Sequence, residues 1–194
     1  MELFFDTETS GLYNFKLEPT HPKQPWIVQI AAILCDEENI YSEFYSIIAA
    51  RDRNIEPGAE KVHCISKELS NKVGINESDA ISTFGNMTRL CDKIICHNFQ
   101  FDSKLMLSAI EKHKDSKELK KNFTKNHYYC TMESSTNLLK LPGNYGKFKW
   151  PKLQELHYFL FGACFIDAHD ALEDVRATRR CYYELIKRLE KKDK

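Results

Sequence analysis

Residues 2–12 read Glu-Leu-Phe-Phe-Asp-Thr-Glu-Thr-Ser-Gly-Leu, so an apolar run typical of a buried strand passes directly into acidic side chains. Side chains alternate between the two faces of a strand, which puts Asp6 and Glu8 on the same face. Two carboxylates held close together repel each other, and a divalent cation that prefers oxygen ligands is their natural partner. A polar strand end that turns into a loop at Ser10-Gly11 explains the same residues equally well. This stretch alone leaves both interpretations open.

Two further runs, residues 26–35 and 40–49, are apolar, β-branched and aromatic, and they predict a second and a third strand in an antiparallel meander. Three prolines make residues 12–25 a loop between the first two strands. After Pro57-Gly58 helices and strands alternate, with strands predicted at 93–96 and 128–132, helices around 81–91, 153–161 and 171–189, and a frayed tail at 190–194. The sequence therefore predicts an α/β fold with a mixed sheet, in a single domain that spans residues 1–194.

The composition is that of an ordinary globular domain, because 42% of the 194 residues are hydrophobic and 29% are charged. No apolar run approaches the roughly 18 residues of a membrane span, and no secretory signal is visible, so we expect no membrane association. The seven cysteines are odd in number and form no Cys-x-x-Cys pair. That pattern argues against a disulfide framework or a structural zinc, and for an intracellular, reducing, cytoplasmic location.

The charges are unevenly distributed along the chain. Residues 1–102 carry 16 acidic and 9 basic side chains, whereas residues 103–194 carry 12 acidic and 19 basic ones. An acidic half suits metal ions and a basic half suits a polyanion, but two solvated faces give the same counts.

Two later segments also place acidic residues at the end of a strand or at the start of a helix. Residues 97–102 read His-Asn-Phe-Gln-Phe-Asp directly after the short strand at 93–96, and residues 167–174 read Asp-Ala-His-Asp-Ala-Leu-Glu-Asp. We place His169 and Asp174 on the last helix, with Asp170 as an acid of its first turn. Taken singly, acids at a helix start are also explained by the helix dipole.

The order and spacing of the three segments resemble the DEDDh (DnaQ-like) 3′–5′ exonuclease family. Its motifs are Asp-x-Glu-Thr near the N-terminus, His-Asn-x-x-Phe-Asp in the middle and His-x-Ala-x-x-Asp near the end, and the match covers residues 3 to about 185. Residues 57–66 resemble the family's Val-His-Gly-Ile-Thr stretch, with Cys64 in place of glycine. The resemblance implies a ribonuclease H-like fold, a mixed five-stranded sheet flanked by helices.

The resemblance also implies the roles of individual residues. Four acids would bind metal and His169 would be the general base, the acids being Asp6, Glu8, Asp102 and Asp174. Thr7, Gly11 and Leu12 would form a wall against the terminal nucleotide, His63 would reach the same pocket, and Asn98 and Phe101 would contact substrate. Two Mg²⁺ ions suit such a site, with Mn²⁺ able to substitute, because they neutralise a phosphodiester and stabilise the attacking and leaving oxygens. A histidine can accept the proton of water near neutral pH.

The expected activity is removal of nucleoside 5′-monophosphates from the 3′ ends of DNA, with single-stranded or frayed ends preferred. The alternatives are an RNA 3′-end-trimming exoribonuclease of the same family and a non-catalytic nucleic-acid- or polymerase-binding module, although a module that only binds has no need of all five residues. A phosphatase with Asp6 as nucleophile would leave His169 idle. Because little follows the last helix, we expect the protein to act alone or to be recruited through its surface by a polymerase or another partner.

One loop remains open to two interpretations. Lys147, Lys149 and Lys152 surround Trp150 in a glycine-containing stretch before a predicted helix. Such a loop either guides a single strand or is a plain mobile loop.

Overall fold

A computed structural model describes residues 1–190, so residues 191–194 of the predicted tail lie outside the described part of the chain. The strands are β1 (Glu2–Thr9), β2 (Ile27–Cys35), β3 (Ile40–Ile47), β4 (Lys93–Cys96) and β5 (His127–Cys130). The helices are α1 (Pro57–His63), α2 (Lys67–Val73), α3 (Glu77–Leu90), α4 (Phe99–Glu111), α5 (Ser116–Lys125), α6 (Thr131–Leu139), α7 (Leu153–Phe161) and α8 (Ala171–Glu190), with a 3₁₀ turn at Asn144–Gly146.

The five strands form one mixed sheet in the order β3-β2-β1-β4-β5. β1 lies in the centre, antiparallel to β2 and parallel to β4, and β4 is in turn parallel to β5. The carboxyl ends of β1, β4 and β5 therefore meet at one edge of the sheet. In open α/β sheets this edge is where ligands bind.

Alternation along β1 sends its side chains into two different hydrophobic layers. Phe5 packs with Phe84 of α3 and Phe123 of α5 on one face, whereas Phe4 packs with Val175 and Tyr182 of α8 on the other. All of these side chains are almost completely removed from solvent. Because both faces of β1 are covered, its pairing register is fixed. The acids later in the strand therefore point to a defined face of the sheet.

Most sequence-predicted elements are present, with differences at their ends. β1 continues through Thr9, because residues 6–9 still pair with β2. The predicted strand at 128–132 instead ends at Cys130, whose partner Cys96 is the last residue of β4, and α6 begins at Thr131. Within residues 1–190 no helix is both long enough and apolar enough to span a membrane.

Candidate active site

Four carboxylates from three segments gather at the edge where β1 and β4 end. Asp6 and Glu8 lie on β1, Asp102 in the first turn of α4, and Asp174 in the first turn of α8. Burial raises the pKa of Asp6 well above its usual range, and the charges of Asp102 and Asp174 raise it further. Burial and the neighbouring carboxylates raise the pKa of Glu8 to about 8. Burial is also the main reason why the pKa of Asp102 and that of Asp174 rise to about 7.

Within residues 1–190, none of these four carboxylates forms an ion pair with a lysine or an arginine. Burying several acids without a counter-charge is costly, and bound divalent cations are the usual remedy. A set of carboxylate oxygens is the donor chemistry that hard divalent cations prefer. The residues present therefore fit a divalent metal site.

Thr7 fixes the position of Asp102 from the opposite face of β1. Its hydroxyl donates a buried hydrogen bond of 2.6 Å to Asp102 Oδ1, and this bond partly offsets the rise in the pKa of Asp102. The structure therefore differs from the expectation that Thr7 contributes to the nucleotide wall, because its side chain is buried and turned toward Asp102.

His169 lies just before α8, so its predicted place on the last helix is wrong. Asp167 and His169 both have positive φ angles, 57° and 73°, which wind this segment tightly against the start of the helix. The backbone N–H of His169 donates to Asp174 Oδ2 at 3.1 Å, and its Nδ1 lies 4.0 Å from Glu8 Oε1. One potential ligand atom from each of Glu8, His169 and Asp174 lies within 4.8 Å of the others. The imidazole thus stands at the solvent side of the carboxylates.

Asp170, predicted as a first-turn acid, is the N-cap of α8 and anchors the segment that carries His169. Its Oδ1 accepts hydrogen bonds from two backbone N–H groups of the first helical turn. Its Oδ2 accepts from Gln29 Nε2 at 3.2 Å and from the Tyr45 hydroxyl at 3.4 Å, while Gln29 Oε1 accepts from the N–H of Ala171. Gln29 and Tyr45 come from β2 and β3, and the sequence carried no signal that they support the site.

A cavity of about 330 Å³ opens beside Glu8. Its walls come from the end of β1, the turn that follows and helix α1: Glu8, Thr9, Gly11, Leu12, Glu56, Gly58, Ala59, Val62 and His63. Leu12 is 86% exposed at its mouth. Gly11, Leu12 and His63, all predicted to face the terminal nucleotide, are therefore brought together with Glu8.

Two contacts explain the shape of this cavity. A Cβ atom on Gly11 would lie 2.6 Å from Cδ of Glu56, so the Glu56 carboxylate packs directly against the turn. His63 Nδ1 accepts a hydrogen bond from the N–H of Ile65, and its Nε2 has no partner among the described residues. Burial lowers the pKa of His63, so its ring is neutral and Nε2 carries the proton. Sequence reasoning missed Glu56, which no motif distinguishes from other surface acids.

Asn98 and Phe101 do not line this cavity, and their expected contact with substrate stays a prediction. Asn98 adopts a left-handed conformation with φ 72° and caps α4 with its backbone, and Phe101 packs against the core. The neighbouring His97 is buried, with Nδ1 at 2.9 Å from Thr131 Oγ1 and Nε2 at 2.9 Å from the carbonyl oxygen of Pro151. Burial lowers its pKa to about 4, so this ring is a neutral structural bridge.

The sequence matches the protein family described as Exonuclease over residues 3–182, which include all four acids and His169. The chain belongs to the exonuclease family. This confirms the predicted family and activity class, and exonucleases of this family depend on divalent metal ions. No curated protein matches the chain at a significant level.

Several solved exonuclease structures share the fold. Escherichia coli exonuclease I in complex with a dT13 oligonucleotide superposes with a TM-score of 0.73 at 22% identity, over 96% of this chain and 40% of that one. A moderately thermophilic exonuclease I from Methylocaldum szegediense gives a TM-score of 0.71 at 24% identity, with the same coverage. The matches confirm the predicted ribonuclease H-like fold, and this exonuclease chain spans about two fifths of the length of those proteins.

We expect the metal-free exonuclease to lose stability as the pH rises. Below about pH 4 the acids are protonated in both the folded and the unfolded chain, so the cluster does not lower the free energy of unfolding. Above that pH the unfolded chain ionises freely, whereas the folded chain retains protons until the pH passes the raised pKa values of about 7 and about 8. The melting temperature in EDTA should therefore fall between about pH 4 and about pH 8, and Mg²⁺ should restore it at the upper end.

The matched control is Asp6→Asn, which removes one charge without changing the size of the side chain. In EDTA this variant should melt above the wild type near pH 8.5 and show a shallower pH dependence. If both proteins lose stability with the same slope, the cluster is not the source of the effect.

Proposed function

We propose that this exonuclease removes nucleoside 5′-monophosphates one at a time from the 3′ ends of DNA, with single-stranded or frayed ends preferred. The observation that carries the proposal is the group of four buried or half-buried carboxylates, without a lysine or arginine partner, next to His169 and a small cavity. A module that only binds nucleic acid would gain nothing from this costly arrangement of acids.

In the proposed mechanism the four carboxylates hold two divalent cations, Mg²⁺ by preference and Mn²⁺ as a substitute. When bound, the cations neutralise the phosphodiester and stabilise the attacking and leaving oxygens. His169 accepts the proton of the attacking water at its ring, whose Nδ1 faces Glu8 from 4.0 Å. Asp174 orients it by accepting the hydrogen bond from its backbone N–H.

The cavity beside Glu8 is proposed to hold the terminal nucleotide. Gly11 leaves its floor free of a side chain, the neutral His63 ring borders it, and Leu12 stands at its mouth, where it separates the last base from its neighbour. In-line attack on the last phosphodiester then expels the 3′-oxygen of the penultimate nucleotide. The phosphate stays on the released unit, so the product is a 5′-monophosphate.

The preference for DNA is supported by the fold neighbours, which include exonuclease I bound to dT13 and to dA16 oligonucleotides. The seven cysteines are all unpaired, which supports the proposed reducing, cytoplasmic location. A polymerase or another protein as a recruitment partner stays a proposal.

The test is degradation of matched 5′-labelled DNA and RNA strands with Mg²⁺, with Mn²⁺ and with EDTA. We expect metal-dependent shortening from the 3′ end, faster on DNA than on RNA. Faster shortening of RNA would identify RNA, and not DNA, as the preferred substrate. Degradation in EDTA would contradict the metal mechanism.

Leu12→Ala should slow the enzyme on paired 3′ ends more than on single strands. The wedge contributes most where a base pair must be opened, which costs energy that a free end does not require. The measurement is the ratio of rates on a blunt duplex and on its isolated strand. The control is Leu90→Ala, an exposed leucine at the C-terminal end of α3. If both variants keep the wild-type ratio, Leu12 is not a wedge.

A further inference from the structure

The connection between α6 and α7, residues 140–152, is a surface feature that the proposed reaction leaves without a role. It contains Lys140, Lys147, Lys149 and Lys152 and no acidic residue. Its aromatic side chains are exposed to solvent, Tyr145 by 99%, Trp150 by 60% and Phe148 by 44%. We call residues 140–152 the lysine–aromatic loop.

The backbone of this loop is closed on itself, so its side chains are presented outward. The N–H of Gly143 donates to the carbonyl of Lys147 at 3.0 Å, and the N–H of Lys149 donates to that of Leu141 at 3.0 Å. A Cβ atom on Gly143 would lie 2.7 Å from both Lys147 O and Lys149 N, so only glycine permits this close approach. The loop is therefore a built structure rather than the plain mobile loop that the sequence left open.

His97 attaches the loop to the active-site edge of the sheet. This buried histidine directly follows β4, and its hydrogen bond to the carbonyl of Pro151 joins the end of the loop to the start of α4, which carries Asp102. Because β1 and β4 are parallel, that end of β4 lies at the same edge as the carboxylates of β1.

The charges favour a polyanion as the occupant. Lys149 is paired with Glu155 at 2.5 Å, but Lys140, Lys147 and Lys152 have no carboxylate partner among residues 1–190. Bases of any sequence stack on exposed aromatic rings, and lysines attract the phosphates between them. Exposed aromatic rings also anchor protein partners, so it is the four lysines without an acidic residue that favour a nucleic-acid strand over a protein.

We propose that the lysine–aromatic loop binds the single-stranded segment that precedes the 3′ end of the substrate. Trp150 and Tyr145 stack on its bases, and Lys147 contacts its backbone. The proposal rests on the proposed function, because the strand held by the loop is the one whose end enters the cavity beside Glu8. A substrate of two nucleotides is too short to use this contact, whereas a longer strand gains from it.

The kinetic test compares KM for a dinucleotide and for an oligothymidylate of about twenty nucleotides, in the wild type and in Tyr145→Ala/Trp150→Ala. The ratio of KM for the dinucleotide to KM for the oligothymidylate should fall about tenfold or more in the double variant, because stacking on two rings is lost. Lys147→Ala should reduce the dependence of log KM on log salt concentration by about 0.7. The matched controls are Tyr41→Ala, an exposed tyrosine near the opposite edge of the sheet, and Lys121→Ala on α5.

The second readout is tryptophan fluorescence during titration with the same oligonucleotide in EDTA, which requires no turnover. Trp26 is buried, so quenching of the wild type should be lost in Trp150→Phe. An unchanged length advantage in the double variant, or quenching that survives in Trp150→Phe, would overturn the proposal. If the protein degrades no strand at all, the proposed function fails, and the titration still decides whether the loop binds the strand.

Discussion

Asp6→Ala should reduce hydrolysis by about 10³-fold or more while leaving the fold intact. Asp6 is a half-buried carboxylate whose pKa is raised by burial and by the charges of Asp102, Asp174 and Glu8, and it is one of the four proposed metal ligands. Its removal takes away a ligand that no neighbouring side chain replaces. Because it also relieves repulsion, the variant should melt at or above the wild-type temperature in EDTA.

The control for this prediction is Asp167→Asn, which removes an exposed acidic charge from the segment before α8 without touching the four carboxylates. It should keep nearly full activity. Comparable losses in the two variants would mean that the general negative charge of the region, rather than a metal site, supports the reaction. Wild-type-like cleavage by Asp6→Ala would contradict the assignment outright.

His169→Ala should lose about 10²–10⁴ in rate, which is the usual contribution of a general base. At saturating metal, the part of the pH dependence of the rate that comes from the general base should be missing in the variant. His169 also has a potential ligand atom within 4.8 Å of Glu8 and of Asp174, so metal binding must be measured separately. Titration with Mn²⁺ should give nearly the same affinity for variant and wild type if the residue is a base.

The matched control is His127→Ala, an exposed histidine at the amino end of β5, which should retain both rate and pH profile. A large loss of Mn²⁺ affinity in His169→Ala would make the histidine a metal ligand. An unchanged pH profile would assign the base elsewhere.

The site was predictable where short-range geometry or motif order determines it. Alternation along one strand is enough to put Asp6 and Glu8 on the same face, and the order of the three motifs indicated that Asp102 and Asp174 belong with them. The parallel arrangement of β1 and β4 then brings Asp102, which follows β4, to the edge where β1 ends. These inferences require only local periodicity and a resemblance.

The remaining features depend on contacts between distant parts of the chain. Gln29 lies 141 residues from the Asp170 carboxylate that it holds, and no spacing rule connects them. Glu56 packs against Gly11 through a loop contact of the same kind. His169 was predicted on the helix because its neighbours fit a helical pattern, whereas the left-handed backbone conformations of Asp167 and His169 place it before the helix.

The central claim is that the four carboxylates and the cavity beside Glu8 form a site that accepts only a free 3′ end. The most direct measurement offers the enzyme the same single-stranded DNA as a 5′-labelled linear strand and as a closed circle, with Mg²⁺ and with Asp6→Ala as the blank. We predict stepwise shortening of the linear strand with release of nucleoside 5′-monophosphates, inhibition by a 3′-phosphate, and an intact circle. Cleavage of the circle at a rate similar to that of the linear strand would show that the site is open to internal bonds and would contradict the account.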